Sequence, residues 1–217
     1  CRGCHMPPVD SPELRDQRSK YWTRTNRYGK RFLKVSVINL AAIGTDPTAA
    51  VNWYQRVAET NDLGLGTVGA GEALEAVTTH VAERAYDELR LSESERAEWN
   101  GYRDPAVRAP LGYKARPLDG IWATGPYLHN ASVRSLYELL LPASERARSF
   151  SLGSREFDPR EVGFVSARNG AWTLRTDEPG NSNAGHEFRD APIGAGVIGR
   201  ELTDDERWDL VEYLKTL

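Results

Sequence analysis

Cys1-Arg-Gly-Cys-His5 is the stretch of sequence that decides the fold, and it contains both cysteines of the chain. The C-x-x-C-H spacing is the attachment signature of c-type haem, because the two thiols bond to the haem vinyl groups and the adjacent imidazole reaches the iron. A thioredoxin-like redox pair would lie in a βαβ pattern, and a zinc site would need two further ligands at matching spacing. Neither pattern is present, so the motif predicts one haem c, attached covalently through Cys1 and Cys4 and bound at the iron by His5.

Length and composition are those of an ordinary globular chain. It has 217 residues, of which 40% are hydrophobic and 27% are charged, enough to bury a core in one large domain or two small ones. The formal net charge is −3, and haem propionates would add negative charge, so no nucleic acid partner is expected. No run approaches the roughly 18 consecutive apolar residues of a membrane span. The sequence therefore predicts a soluble protein.

The motif also bears on the cellular compartment. Cytochrome c maturation takes place outside the bacterial cytoplasm, so a haem c predicts a periplasmic or secreted protein. In the compact c-type cytochrome fold a helix precedes C-x-x-C-H, whereas here the motif occupies residues 1–5. We therefore expect the chain to be the C-terminal part of a longer protein.

Counting side chains narrows the choice of the second axial ligand of the iron. Small electron-transfer cytochromes usually use Met or His at this position. The only methionine, Met6, is next to His5 and cannot reach the opposite face of the porphyrin. The remaining imidazoles are His80, His129 and His186. A Tyr ligand, a Lys ligand or an open coordination site would also agree with this count.

The three candidate histidines lie in different local patterns. His80 follows apolar residues at helical spacing but lies off the centre of their stripe, which favours a surface or boundary position. His129 is in the turn-rich stretch Gly-Pro-Tyr-Leu-His-Asn, where packing or hydrogen bonding is a fair alternative role. His186 is in a Gly/Asn-rich loop, and such a loop can bring one side chain to a metal or leave it exposed. Local pattern alone does not choose between them.

Periodicity predicts helices joined by irregular segments. Apolar residues at helical spacing mark a helix around residues 72–89. Near the end of the chain, Thr203 and Glu206 form the capping box of a closing helix with an apolar face. The polar stretch over residues 149–180 is expected to form a surface loop or a small β-hairpin around residues 162–165 and 171–174.

The motif and the helices together predict the fold class. A closing helix after a haem-attachment motif is typical of a cytochrome-like core. We therefore expect a mainly α fold, namely a class I cytochrome c-like haem domain with long irregular loops and a small β-hairpin. It would form a single domain over residues 1–217.

Three stretches resemble the C-terminal half of bacterial di-haem cytochrome c peroxidase-like proteins. They are Cys1-Arg-Gly-Cys-His5, the block from Lys114 to Leu140, and the closing Val211-Glu-Tyr-Leu-Lys-Thr-Leu217. The middle block is the most specific, because a T-x-P-Y-x-H stretch that leads into a leucine-rich helix is unusual outside this group. Within the superfamily, residues 43–47, 157–164 and 185–188 are most similar to the rubber oxygenase branch, whose members are latex-cleaving di-haem dioxygenases.

The resemblance implies a set of iron ligands and haem contacts. In the peroxidases the histidine that matches His129 lies near the haem without binding its iron, and the ligand is a later methionine, where this chain has Ala143. In the rubber oxygenase branch the distal ligand is a late histidine in a Gly-His-Glu-aromatic stretch, which matches His186. The resemblance therefore implies that His5 and His186 bind the iron, with His129 near the haem. By their position in the middle block, three residues are candidate contacts to the haem edge or propionates: Arg116, Trp122 and Tyr127. The alternative is that Arg116 is a surface charge and that the two aromatic residues have ordinary packing roles.

Two axial imidazoles would define what this haem does. They favour low-spin iron, which suits one-electron transfer or storage and does not suit the binding of O2 or peroxide. In the related enzymes the substrate-reactive iron belongs to an N-terminal haem domain, so no catalytic residue is assigned to this chain. Three functions stay open. The first is the C-terminal haem domain of an exported di-haem oxygenase or peroxidase-like enzyme, with that N-terminal domain as its partner. The second is a dedicated electron-transfer subunit of a larger complex that works with another redox subunit, and the third is a structural subunit without catalysis. The family motifs favour the first.

Overall fold

A computed structural model of the protein describes residues 1, 3–103, 107, 109–166 and 172–217. The chain divides into two compact units. Unit 1 consists of Cys1–Pro8, Val37–Ala49 and Gly112–Leu217, and unit 2 consists of Val9–Ser36 and Ala50–Leu111. In sequence, unit 2 is therefore made of two segments that interrupt unit 1.

Most helices and strands are short. The helices are α1 (Pro12–Arg15), α2 (Leu40–Ile43), α3 (Thr48–Gln55), α4 (Ala70–Glu88), α5 (Glu93–Asn100), α6 (Leu136–Leu139) and α7 (Asp204–Leu214). The strands are β1 (Val37–Asn39), β2 (Val57–Glu59), β3 (Thr67–Gly69), β4 (Gly112–Lys114), β5 (Ser149–Leu152), β6 (Phe157–Asp158), β7 (Gly163–Phe164), β8 (Trp172–Arg175), β9 (Glu187–Phe188) and β10 (Val197–Gly199). Short 3-10 helices cover Asn61–Leu63, Ile121–Ala123 and Ala143–Glu145. Within the described ranges, only α4 and α7 are longer than 8 residues.

The strands pair two by two. In unit 1, β1 pairs with β4, β5 with β8 and β6 with β7, all antiparallel, whereas β9 and β10 are parallel. In unit 2, β2 and β3 form an antiparallel pair. Two of the pairs, β1–β4 and β5–β8, join segments that are far apart in the sequence, while β6–β7 and β9–β10 join neighbouring segments, and the pairs do not form one extended sheet.

The hydrophobic core of unit 1 is built from the middle block and the closing helix. Its buried members are Tyr127, Val133, Leu136, Leu140, Val162, Phe188, Val211 and Leu214. At the start of α7, the hydroxyl of Thr203 accepts the N–H of Glu206 at 3.2 Å, and the Glu206 carboxylate accepts the N–H of Thr203 at 3.0 Å. This reciprocal pair satisfies two N–H groups that a helix end leaves free. The predicted closing helix and its capping box are confirmed.

Unit 2 is built around α4 and α5 and has a different kind of interior. α4 confirms the helix predicted around His80, but its apolar stripe is largely exposed: Leu74, Val77 and Val81 are 41%, 46% and 61% exposed. Polar side chains make the internal connections instead. The buried Asn26 amide, for example, donates to the Glu98 carbonyl at 2.9 Å.

The prediction of a mainly α, class I cytochrome c-like fold is wrong. Of the described residues, only 32% are helical and 17% are in strands, which form several small sheets. Strands of two to four residues are too short for alternation to be recognised. The expected hairpin is wrong because each of its strands has another partner: β7 pairs with the neighbouring β6, and β8 pairs with β5, while Ala171 of the expected hairpin lies outside the described residues.

Candidate metal centre

The C-x-x-C-H motif forms one tight turn. The N–H groups of Cys4 and His5 both donate to the Cys1 carbonyl, at N···O distances of 3.1 and 2.9 Å. These bonds span three and four residues, as in a helical turn, and they keep the two thiols and the imidazole on the same short stretch of curled backbone. Cys1 is exposed, Cys4 is half-buried, and neither is in a disulfide. Both thiols are free for the thioether bonds that haem c requires.

The tautomer of His5 follows from its hydrogen bond. Its Nδ1 lies 2.7 Å from the carbonyl oxygen of Arg116. A carbonyl can only accept, so Nδ1 carries the proton and the neutral ring keeps its lone pair on Nε2. Metal-binding histidines commonly donate their other N–H in this way, which fixes the ring and makes the free nitrogen more basic. Arg116 therefore supports the site through its backbone.

The rings of His5 and His186 have a spacing that suits one metal bound between them. Their ring centroids are 6.2 Å apart and their planes are inclined by 75°. A metal–imidazole bond is about 2 Å long and the bonding nitrogen lies about 1 Å from the ring centre, so imidazoles on opposite sides of one iron have centres about 6 Å apart. The observed separation has this value.

His186 is held as a neutral imidazole. Burial of the side chain, followed by the nearby charges of His5 and Arg146, lowers the pKa of His186 to about 4. A neutral ring offers the lone pair that a metal needs, whereas a protonated ring does not. The Nδ1 atom of His186 is buried and has no hydrogen-bond partner within the described part of the chain. Such orphaned polar atoms are rare in native proteins, and a bound group is one of the partners that can satisfy them.

Close backbone packing fixes the position of His186. A Cβ atom on Gly185 would lie 2.4 Å from the carbonyl carbon of Gly44, and a Cβ atom on Gly44 would lie 2.6 Å from the Cα of Gly196. The N–H of His186 donates to the Ile43 carbonyl at 3.1 Å. His186 has a φ of 46°, a left-handed conformation that a non-glycine residue adopts only when its surroundings impose it.

Together these residues fit a haem c site. Two free thiols and an imidazole with a defined tautomer come from one turn, and a second neutral imidazole comes from a rigidly packed loop. All of them belong to unit 1. The chemistry of this donor set and the spacing of the two rings match what an iron with two axial imidazoles requires.

Trp122 and Tyr127 have roles in the packing of unit 1. Tyr127 is 3% exposed and donates its hydroxyl to the Val162 carbonyl at 3.0 Å, so it is a core residue. Trp122 is exposed, and its Nε1 donates to a backbone oxygen of Leu217 at 3.1 Å. The Arg116 side chain is exposed. A contact between any of these three side chains and a haem stays a prediction.

His129 belongs to a stacked and hydrogen-bonded group. Its ring lies over that of Tyr113, with centroids 3.7 Å apart and planes inclined by 18°. Burial lowers the pKa of His129, and the negative charge of Asp46 opposes that shift. The Tyr113 hydroxyl donates to the Asp46 backbone carbonyl at 2.7 Å, and the Asp46 carboxylate accepts the N–H of Ser182 at 3.1 Å. The group thus connects β4 to the loop that leads to His186.

Sequence reasoning placed His80 correctly and missed the residues that hold the site together. His80 is exposed on α4 of unit 2, as its position off the centre of the apolar stripe indicated. Gly44 could have been found, because a glycine before a turn indicates a close backbone approach. Arg146 has no motif around it, and its role follows only from its tertiary contacts.

Residues 112–151 match a family model described as RoxA-like, cytochrome c-like. The matched segment begins in β4 and ends in β5, and it contains Arg116, His129 and Arg146. This part of the chain is therefore cytochrome c-like, in agreement with the resemblance seen in the middle block, and a cytochrome c-like domain implies the binding of haem c.

Two proteins of Sinorhizobium fredii (strain NBRC 101917 / NGR234) are similar to this chain. The uncharacterized protein y4iJ is 48% identical over 221 residues, which cover 100% of this chain and 37% of the relative. The uncharacterized protein y4iM is 35% identical over 127 residues, which cover 52% of this chain and 28% of the relative. The chain spans about a third of the length of the curated relatives it matches.

None of the helices in the described ranges combines the length and the apolar composition needed to cross a membrane. The longest of them, α4, is also rich in glutamate.

Proposed function

We propose that this chain is a c-type cytochrome domain that uses one covalent haem for electron transfer or storage. Cys1 and Cys4 would attach the haem, and His5 and His186 would bind its iron. The observation that carries the proposal is the 6.2 Å separation of the two imidazole centroids, next to two free thiols on the same turn as His5. The cytochrome c-like match over residues 112–151 supports the same conclusion independently.

Each residue of the site has a separate task. A haem held by these residues would supply a one-electron redox couple. The Arg116 carbonyl keeps the proton of His5 on Nδ1. The contact between Gly185 and Gly44 prevents the His186 loop from shifting without a backbone rearrangement. A site with two fixed axial imidazoles favours electron transfer over the binding of O2 or peroxide.

The domain would belong to a larger redox protein. In this proposal it is the C-terminal part of an exported di-haem oxidoreductase of the oxygenase or peroxidase-like kind, located in the periplasm or secreted. Its partner would be an N-terminal haem domain of the same protein, which would contain the substrate-reactive iron. The RoxA-like match and the greater length of the relatives support this context. A dedicated electron-transfer subunit that works with another redox subunit is the second candidate, because the same pair of imidazoles would serve it equally well.

The first part of the test concerns covalent attachment. The full-length protein is produced with cytochrome c maturation in a bacterial periplasm, and covalent haem is counted by the pyridine haemochrome assay on the unfolded chain. The double variant Cys1→Ser, Cys4→Ser should contain one covalent haem fewer than the wild type. An unchanged count would reject attachment at this motif. Two haems in the wild type would favour the di-haem enzyme, and one would favour the electron-transfer subunit.

The second part concerns the iron ligand. His186→Ala should convert the low-spin haem of this domain to a high-spin or water-ligated form, visible in optical and EPR spectra, because the second imidazole is lost. His80→Ala is the matched control, since His80 is exposed on α4 of unit 2. A low-spin spectrum that stays unchanged in His186→Ala would reject the ligand and redirect attention to His129 or His80.

A further inference from the structure

A buried arginine lies directly behind the His186 loop. Arg146 is 3% exposed, and its guanidinium donates only to backbone carbonyls. The acceptors are Leu139 at 3.2 Å, Leu141 at 3.2 Å, Gly185 at 2.9 Å, His186 at 3.0 Å, and Asn183. A guanidinium has five N–H donors, so these five bonds use its donor capacity in full. One side chain thus clamps the end of α6 to the loop that presents the axial imidazole.

The charge of this guanidinium is not neutralised by direct contact. Among the described residues no carboxylate lies within ion-pair distance of Arg146, and the carbonyls that surround it are neutral dipoles. Burial lowers the pKa of Arg146 to about 10, while the charges of Glu187 and Glu138 oppose the shift. A guanidinium in a protein keeps its proton, so the side chain is a cation at neutral pH. Glu187 is itself engaged by the N–H of Ala143 at 2.8 Å.

We propose that Arg146 is a positioning residue for His186 and that its buried positive charge raises the reduction potential of the haem iron. The inference rests on the haem site proposed above. The bonds to the carbonyls of Gly185 and His186 hold the backbone from which the His186 ring extends, and this ring is inclined by 75° to the plane of His5. Ferric iron takes one electron from an external reductant to become ferrous, without a bond being made or broken. A cation held nearby in a medium of low dielectric favours the less positive state.

A second buried arginine provides the matched control. Arg207 in α7 is 7% exposed, and its guanidinium pairs with Asp204 at 3.3 Å and donates to the Leu202 carbonyl at 3.0 Å. It has the same side chain and similar burial as Arg146, but it is paired with a carboxylate, and its other partners are the segment just before α7 and the Tyr137 ring at 5.6 Å. Loss of Arg207 should therefore affect stability and leave the haem unchanged.

The experiment is a redox titration of the full-length holoprotein, combined with EPR of the ferric form. Arg146→Gln should raise the ferric-to-ferrous ratio at a fixed ambient potential about tenfold, which corresponds to a midpoint potential about 59 mV lower for one electron. Arg146→Lys retains the charge and loses the planar fork, so its midpoint should stay near the wild-type value. In both variants the EPR line shape should change, because it depends on the angle between the two imidazole planes. Arg207→Gln should alter neither reading.

The outcomes separate this inference from the proposed function. If wild-type protein lacks covalent haem, or if His186→Ala stays low-spin, the proposed function fails first. If the wild type passes both tests and Arg146→Gln has an unchanged potential and EPR spectrum, only the role of Arg146 is overturned. Should Arg146→Gln fail to fold, Arg146→Lys decides alone. An unchanged EPR line shape in Arg146→Lys overturns the positioning role of Arg146. A tenfold shift of its ferric-to-ferrous ratio, despite the retained charge, overturns the electrostatic effect.

Discussion

Unit 1 and unit 2 are each stabilised internally by different interactions. In unit 1, the side chains of Val133, Leu136 and Val211 are fully buried in one hydrophobic cluster. In unit 2, the buried apolar side chains of the described segments are Leu14 and three alanines, at positions 50, 70 and 73. Unit 2 therefore gains much less from the removal of large apolar side chains from water.

Arginine–aromatic stacking takes the place of a large core in unit 2. Guanidinium carbons lie over aromatic rings in the pairs Arg24–Tyr102 at 4.7 Å, Arg31–Trp22 at 4.1 Å and Arg103–Phe32 at 4.3 Å. Each such contact contributes about 0.5–1 kcal/mol when exposed, whereas a fully buried leucine or valine contributes about 1.5–3 kcal/mol. We expect unit 2 to open locally at a lower free energy than unit 1.

The difference explains why the candidate metal centre lies entirely in unit 1. Two imidazoles can share one iron only if their separation is held within a few tenths of an ångström, which requires rigid surroundings. Unit 1 provides them through its hydrophobic core, the packed glycines at Gly44 and Gly185, and the carbonyl bonds of Arg146. A unit held together by surface stacking would not maintain such a geometry.

Leu136→Ala should lower the free energy of unfolding more than any other substitution that compares the two units. Leu136 is fully buried in unit 1, so the lost burial and the resulting cavity should lower the free energy of unfolding by about 2–5 kcal/mol. Leu74→Ala removes the same atoms from an exposed position in unit 2 and should cost about 0.5 kcal/mol. Urea unfolding of the full-length protein, with hydrogen exchange to locate the change, measures both. Equal losses would contradict the assignment of the main core to unit 1.

Gly185→Ala tests the glycine packing and should have an intermediate effect. The residue has a φ of +72°, and an added Cβ would lie 2.4 Å from the Gly44 carbonyl carbon. The left-handed conformation and the clash together should cost roughly 3 kcal/mol and should displace His186 from its place beside His5. Gly64 of unit 2 is the matched control, with a φ of +69° and open space around its Cβ position.

The control separates backbone strain from the clash. Gly64→Ala should cost only about 1–2 kcal/mol for the left-handed conformation and should leave the haem spectrum unchanged. The same urea titration and the optical low-spin signal provide the readings. If Gly185→Ala is no worse than Gly64→Ala and stays low-spin, the packing of Gly185 against Gly44 does not position His186.

Arg31→Gln should have the smallest effect and should confine it to unit 2. The half-buried Arg31 lies 4.1 Å from the Trp22 ring centroid, so its loss should cost about 1 kcal/mol and should speed hydrogen exchange in nearby peptides of unit 2. In unit 1, Arg160 lies 4.7 Å from the Trp208 ring centroid but is exposed, and Arg160→Gln should change the free energy of unfolding by less than about 0.5 kcal/mol. Faster exchange in unit 1 than in unit 2 would reverse the comparison.

The sequence predicted the long elements well and the short ones poorly. The closing helix and the helix around His80 were recognisable because apolar spacing and capping signals extend over several turns. The small sheets were not, because each strand is short and some partners are distant, as β1 and β4 show with Val37 opposite Lys114. Tertiary contacts decide such pairings, and no local pattern records them.

The sequence by itself predicted the attachment motif, because Cys1, Cys4 and His5 are contiguous and their spacing alone places two thiols and an imidazole on one turn. From the residues it left several histidines as candidates for the second ligand, and only the resemblance singled out His186. The tertiary structure decided that the His186 ring lies 6.2 Å from the His5 ring, measured between centroids. That placement depends on backbone packing between glycines and on the hydrogen bonds of Arg146, contacts between residues far apart in the chain that leave no local pattern in the sequence.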